Sequence, residues 1–152
     1  MPFHTTPIDF ATPEYDEVVG LRTRILREPL GLAFTTEFLE VEYADVHIAC
    51  YENGSERLVG CLLIRNVVTA DTEPATVQVK QVAVRDDLQR RGIGRQLMAA
   101  AEAHAQHKGI SRVIVHAREA AAAFYDALGY VEYAPRFEEV GIPHRAMQKR
   151  LV

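Results

Sequence analysis

The chain has 152 residues, of which 48% are apolar and 25% charged, with a formal net charge of −4. That is ordinary globular composition, and it is long enough for one domain over residues 1–152 whose core needs no staple. The acidic balance argues against a general nucleic-acid binder, and no basic flank runs into an apolar stretch, so neither a signal peptide nor a membrane span is expected and a cytoplasmic protein is the default.

Taken in order, residues 7–10 are expected as a short edge strand. Thr12-Pro13-Glu14 predicts a helix start, with Thr12 as N-cap and Pro13 at the first helical position. Tyr15, Val18, Val19, Leu21, Arg22, Ile25 and Leu26 carry an amphipathic pattern to Arg27, and Pro29 ends it. Pro29-Leu30-Gly31-Leu32 reads as a non-helical segment that either packs beneath a sheet or walls a binding site. Thr35-Thr36-Glu37 opens another short helix. Glu37, Glu40 and Glu42 form either a solvated face or an attractor for a cation. Residues 44–51 alternate as a strand, and Glu52-Asn53-Gly54-Ser55 is a hairpin turn in which Asn53 and Gly54 suit positive φ. Residues 58–68 return, and residues 75–84 form a third strand after a Pro-containing turn. The two cysteines, Cys50 and Cys61, fall in these strands and read as reduced core thiols rather than a disulfide.

Residues 82–84 are a short apolar run that could close a buried strand, and residues 85–91 are almost wholly polar and read as a loop. From Ile93 the apolar positions Leu97, Ala100, Ala101 and Ala105 recur at helical spacing to Lys108, and Gly109 stops the helix. The first turn of a helix has amides without intrahelical partners and about half a positive charge. Glycines at 92 and 94 keep side chains away from those amides, while Arg90, Arg91 and Arg95 add fixed positive charge. Either the glycines only shape a tight turn, or the loop holds a phosphate or pyrophosphate. The arginines and the strand ahead of them favour the second. A P-loop is not formed, because Arg95-Gln96 follows Gly94 where lysine and a hydroxyl residue would stand.

Residues 112–116 read as a β-branched strand, and residues 120–128 as a helix closed by Gly129. Residues 130–133 and 145–151 read as closing strands around a loop at 135–143. The alternation predicts a mixed α/β sheet with helices on its faces. His47, His104, His107 and His116 show no convergent metal-ligand spacing, so no metal is expected.

The segment Gln89-Arg90-Arg91-Gly92-Ile93-Gly94 fits a Q/R-x-x-G-x-G/A signature and resembles the coenzyme loop of the GNAT family of N-acetyltransferases. The resemblance implies an α/β (α+β) fold with a mixed, mostly antiparallel central sheet flanked by helices and splayed between the fourth and fifth strands. It implies that the backbone of Gln89, Arg90, Arg91, Gly92, Ile93, Gly94 and Arg95 holds the pyrophosphate of acetyl-coenzyme A. Val82, Ala83 and Val84 would line the acetyl and pantetheine arm, and the first helix with the segment after it would border the acceptor site. Phe124-Tyr125-Asp126-Ala127-Leu128-Gly129-Tyr130 resembles the family's F/L-Y-x-x-x-G-F/Y segment, whose tyrosine commonly protonates the departing thiolate. By spacing alone Tyr125 reads first as an aromatic helix residue packing on the sheet.

Two residues depart from the family pattern. Arg118 stands seven positions before Tyr125, where an asparagine often contacts the coenzyme, and it could reach a phosphate or a pantetheine carbonyl instead. Gln78 stands where some members have a glutamate base, and an amide cannot take a proton. His144 in Gly141-Ile142-Pro143-His144 resembles the G-I-P-H segment of a bacterial subgroup and is the substitute base, unless it is a surface or structurally bonded histidine. The implied activity is direct transfer of an acetyl group from acetyl-coenzyme A to a primary amine of a small molecule, without metal. Freeing the lone pair of an ammonium with pKa about 10.4 costs about 4–5 kcal/mol at pH 7, so a base is useful. The alternative is a coenzyme A-binding regulatory module. Neither nucleic acid nor membrane is an expected partner, and a homodimer is compatible with the chain.

Overall fold

Thr12 starts the first helix as expected: its Oγ1 accepts from the Tyr15 amide at 3.3 Å, and Pro13 needs no partner for a missing N–H. The computed structural model describes residues 2–67 and 74–151. These fall into two compact units, Met1–Arg65 with Gln81–Ala101, and Asn66–Lys80 with Glu102–Val152. The expected strand end at Val68 and the turn before Pro74 lie outside the described residues.

In the first unit, strands β1 (Phe3–Ile8), β2 (Val46–Glu52), β3 (Leu58–Val67) and the second half of β4 (Thr76–Val84) lie side by side in that order. Helices α1 (Pro13–Arg22) and α2 (Thr36–Glu40) precede β2, and α3 (Ile93–His107) follows β4. Val18 and Leu21 of α1 pack with Ala49, Leu58, Cys61 and Ala83. Gly60 marks where α3 closes on β3. A Cβ there would lie 2.9 Å from Ile93 Cγ2, 3.0 Å from Leu97 Cδ1 and 3.2 Å from the Ala83 carbonyl oxygen. Gly60→Ala is therefore expected to lower stability by about 1–3 kcal/mol through overpacking, measurable as a fall in denaturation midpoint at unchanged m-value.

In the second unit the first half of β4 pairs parallel with β5 (Arg112–Arg118), and β5 pairs antiparallel with β8 (Ile142–Arg150). Strands β6 (Val131–Glu132) and β7 (Phe137–Glu139) both pair antiparallel with β8. Helix α4 (Ala122–Ala127) leads into a C-cap at Gly129, whose φ is +94°. The fold is thus mixed and mostly antiparallel with helices around the sheet. The parallel ladder uses only Thr76–Val79 of β4 and Arg112–Val115 of β5. Gln81, in the second half of β4, takes φ +56°, a left-handed conformation that is uncommon for a residue with a side chain.

Several expected elements are altered. The edge strand is Phe3–Ile8 rather than residues 7–10; Pro7 is tolerated because an edge position needs no donor on one side. The α-helical part of the first helix ends at Arg22, where the Thr23 hydroxyl donates to the Val19 carbonyl at 2.7 Å and a π-turn runs over Thr23–Arg27. Part of the leucine segment is a 3₁₀ turn, Glu28–Leu30, closed by Gly31 at φ +71°. The β2–β3 hairpin carries positive φ at Gly54 and Glu56 rather than at Asn53 and Gly54, because its loop is longer than two residues. Residues 135–143 are not one loop: β7 and the start of β8 form a hairpin there, joined by Val140 (φ +48°) and Gly141 (φ +77°). Both cysteines are free and buried, and burial pushes their thiols up to about 11 for Cys50 and about 12 for Cys61. Among the described residues no helix is long and apolar enough to cross a membrane.

Candidate active site

The glycine loop is built from both ends. The Arg85 amide donates to the Val59 carbonyl at 2.9 Å, fixing the exit of β4, and the Leu88 amide donates back to the Arg85 carbonyl at 3.0 Å. Leu88 and Ile93 are buried on either side of an exposed turn that carries Gln89, Arg90, Arg91 and Gly92. Arg90 takes φ +65° and Gly92 φ +83°, and a Cβ on Gly92 would meet nothing within 4 Å. The Gly92 carbonyl accepts from the Gln96 amide at 3.0 Å, the first bond of α3. The amides of Ile93, Gly94 and Arg95 therefore open the helix without intrahelical partners, in the same turn as exposed Arg90, Arg91 and Arg95. Such a turn can hold a diphosphate. Val82 and Val84 are half-buried and Ala83 buried, so the strand leading to the loop is mostly apolar and follows directly on Gln81.

In the second unit, Tyr125 of α4 is only 6% exposed and stands edge-on to Phe124 and Tyr130 at 5.0 and 5.7 Å between centroids. Burial raises its phenol to about 12, with no hydrogen-bond partner contributing. Transfer from such a phenol to a thiolate of ordinary pKa about 8.5 runs uphill by about 5 kcal/mol. A thiolate brought into equally dry surroundings rises as well, which narrows that gap. Arg118 ends β5, where burial lowers its guanidinium pKa against the opposing effect of Glu139.

His144 is not in a loop. It lies in β8, directly across from Arg118 on one side and Phe137 on the other, and is 3% exposed. Its Nδ1 lies 2.9 Å from the Ile142 carbonyl oxygen and its ring stacks on Phe137 at 5.8 Å. The structure therefore joins Arg118 and His144 on one sheet face. Gln78 is paired with Ile114 in the parallel ladder.

The acidic cluster of the sequence divides. Glu37 and Glu40 are at or near the surface, whereas Glu42 is fully buried. Glu42 accepts two hydrogen bonds from Arg22, at 2.8 and 2.7 Å, and one from the Tyr15 hydroxyl at 2.7 Å. Burial pushes the Glu42 carboxyl up, but the Arg22 hydrogen bonds and charge outweigh it and hold the group below the usual carboxylate range. Burial and the Glu42 carboxylate both push the Tyr15 phenol up. Phe34 lies under both Arg22 and Arg27, at 4.6 and 4.5 Å from the guanidinium carbons. Glu42 thus ties α1 to the segment before β2. Its one sequence signal was the apolar-face position of Arg22, which a buried partner would have explained.

A strand–glycine loop–helix with this sheet defines a class, and comparison with known proteins names it. Residues 33–151 match the acetyltransferase (GNAT) domain, and the chain belongs to that family. A Bacillus subtilis (strain 168) protein named "Putative acetyltransferase" is 28% identical over 133 residues, covering 86% of this chain and 85% of that one. The chain matches about half the length of another B. subtilis protein, YyaT, at 29% identity over 76 residues, 50% of this chain and 51% of that protein. Among solved structures, a "putative N-acetyltransferase" from Lactobacillus plantarum has TM-score 0.80 at 24% identity, covering 100% of both chains. A GNAT family acetyltransferase from Elizabethkingia anophelis, solved with acetyl-CoA bound, has TM-score 0.69 at 18% identity, covering 99% of both.

Proposed function

We propose that this chain is an acetyl-coenzyme A-dependent N-acyltransferase that acetylates a primary amine of a small molecule by direct attack. The observation that carries this reading is the exposed turn at 89–95, where unpartnered helix amides, open space at Gly92 and three arginines converge. Bound there, acetyl-coenzyme A supplies the activated acyl group. The protein's part is to hold the diphosphate on the amides of 89–95, to lay the pantetheine arm along Val82, Ala83 and Val84, and to steady it through Arg118. Tyr125 delivers a proton to the departing sulfur. Two buried free thiols fit a reducing compartment and support a cytoplasmic location.

Calorimetry with acetyl-coenzyme A tests the binding half of the proposal, and saturation in the micromolar range is expected. Release of coenzyme A thiol across a panel of amines tests the chemistry. Tyr125→Phe should lower kcat about 10–100-fold while leaving the KM for acetyl-coenzyme A within about threefold, because a proton donor acts only in the transition state. Equal turnover in the two proteins would remove Tyr125 from that role. Gln78 in place of a carboxylate favours a second reading, a coenzyme-binding module without chemistry. Binding with no turnover on any amine would decide for it.

A further inference from the structure

The sequence offers His144 as the substitute base; the structure encloses that side chain and sets a second histidine, His116 of β5, beside a carboxylate of β7. On one face of the second unit's sheet lie His116 and Arg118 of β5, Phe137 and Glu139 of β7, and His144 of β8, because residues opposite one another or two apart share a face. His116 Nδ1 lies 3.0 Å from Glu139 Oε1. A carboxylate only accepts hydrogen bonds, so Nδ1 carries a proton, and in the neutral ring the lone pair is on Nε2. The Phe137 ring meets His116 edge-on at 4.9 Å and fixes the imidazole plane from the side. The other Glu139 oxygen lies 3.8 Å from His144 Nε2. The side chains of His116 and Glu139 are 31% and 46% exposed, against 3% for His144.

Resting on the acetyltransferase reading above, we infer that His116 is the general base that takes a proton from the acceptor ammonium, with Glu139 as its positioning residue. His144 is the more enclosed of the two histidines. It braces the hairpin through Phe137 and the Ile142 carbonyl. The groups facing His116 are Arg118 from its own strand, Glu139 from β7 and His144 from β8; Glu119 is taken up by Arg145. The Glu139 carboxylate attracts a cationic amine to the face where Nε2 accepts. The tight turn beyond Glu139 holds Val140, a β-branched residue, at φ +48°, a strained conformation of the kind that collects at functional sites.

The ammonium gives one proton to His116 Nε2, the freed lone pair forms the C–N bond, and the C–S bond breaks. The sulfur takes the Tyr125 proton, the surplus proton on the new amide nitrogen returns to that phenolate, and the histidinium releases its proton to water.

The test uses the full chain, acetyl-coenzyme A and two probe acceptors: benzylamine, cationic at neutral pH, and 2,2,2-trifluoroethylamine, largely uncharged there. With benzylamine, kcat/KM should fall on acidification through a limb set by the base. His116→Gln should abolish that limb and cut kcat/KM about 100-fold, with less than about threefold change for trifluoroethylamine. Glu139→Gln should cost about tenfold for benzylamine and shift the limb without removing it. A limb that survives His116→Gln, or that vanishes in His144→Gln instead, overturns the assignment. Nitrogen-15 spectra of the wild type should show His116 as the Nδ1–H tautomer, and an Nε2–H tautomer there overturns it whether or not either amine turns over. Failure of acetyl-coenzyme A to bind at all sinks the acetyltransferase reading, and the tautomer measurement separates that failure from failure of the dyad.

Discussion

Gly92→Glu is expected to abolish saturable binding of acetyl-coenzyme A, by at least about 100-fold, equivalent to about 2.7 kcal/mol. Two costs combine. A side chain at φ +83° pays about 1–2 kcal/mol for the left-handed conformation. The new carboxylate also sits where the amides of Ile93, Gly94 and Arg95 and the helix dipole would otherwise meet a diphosphate, so it competes for the same donors and repels the ligand. The fold should survive, because a Cβ at this position touches nothing within 4 Å. Gly92→Ala separates the two costs. It carries the conformational penalty without the charge and should retain measurable affinity. Calorimetry on both variants, with circular dichroism to confirm folding, is the measurement. Full affinity in Gly92→Glu would mean that the coenzyme does not use this turn.

Glu42→Gln should lower stability by about 3–5 kcal/mol, because it leaves the Arg22 guanidinium, 1% exposed, without its counter-charge. For a domain of this size that corresponds to a fall in Tm of roughly 6–20 °C. Arg22→Met combined with Glu42→Gln should recover much of the loss, since an uncharged interior tolerates what a lone cation does not. The pH dependence has a definite sign. The folded-state pKa of Glu42 lies below its unfolded value, so the contribution is present above about pH 4.5 and is lost as pH falls through the folded value. Wild type should therefore lose stability on acidification more steeply than Glu42→Gln. Parallel denaturation curves between pH 3 and 7 would show that the pair carries no such linkage.

Local chemistry made much of this chain legible. Thr12-Pro13 marked its helix because a cap and a proline act within one turn, and Gly92, Gly109 and Gly129 marked theirs because positive φ excludes other residues cheaply. The resemblance at 89–94 supplied the family, and the match over residues 33–151 bears it out. What escaped depends on pairs distant in sequence. Glu42 read as one of three surface acids because its partners, Tyr15 and Arg22, are 27 and 20 residues away. The β7–β8 hairpin escaped because Val140-Gly141 lacks the usual asparagine or aspartate, and β7 is only three residues long. Without that hairpin His144 read as a loop residue, and nothing in the chain linked Glu139 to His116, 23 positions away.

The two sequestered cysteines have a practical corollary for the bench. With both sulfurs enclosed and held in the protonated state well above neutral pH, the folded protein offers no nucleophile to a chromogenic disulfide reagent. Every equivalent of colour produced in a continuous assay would then belong to liberated coenzyme A. A slow rise in background absorbance would report unfolding rather than catalysis, so one cuvette can follow both turnover and the integrity of the catalyst.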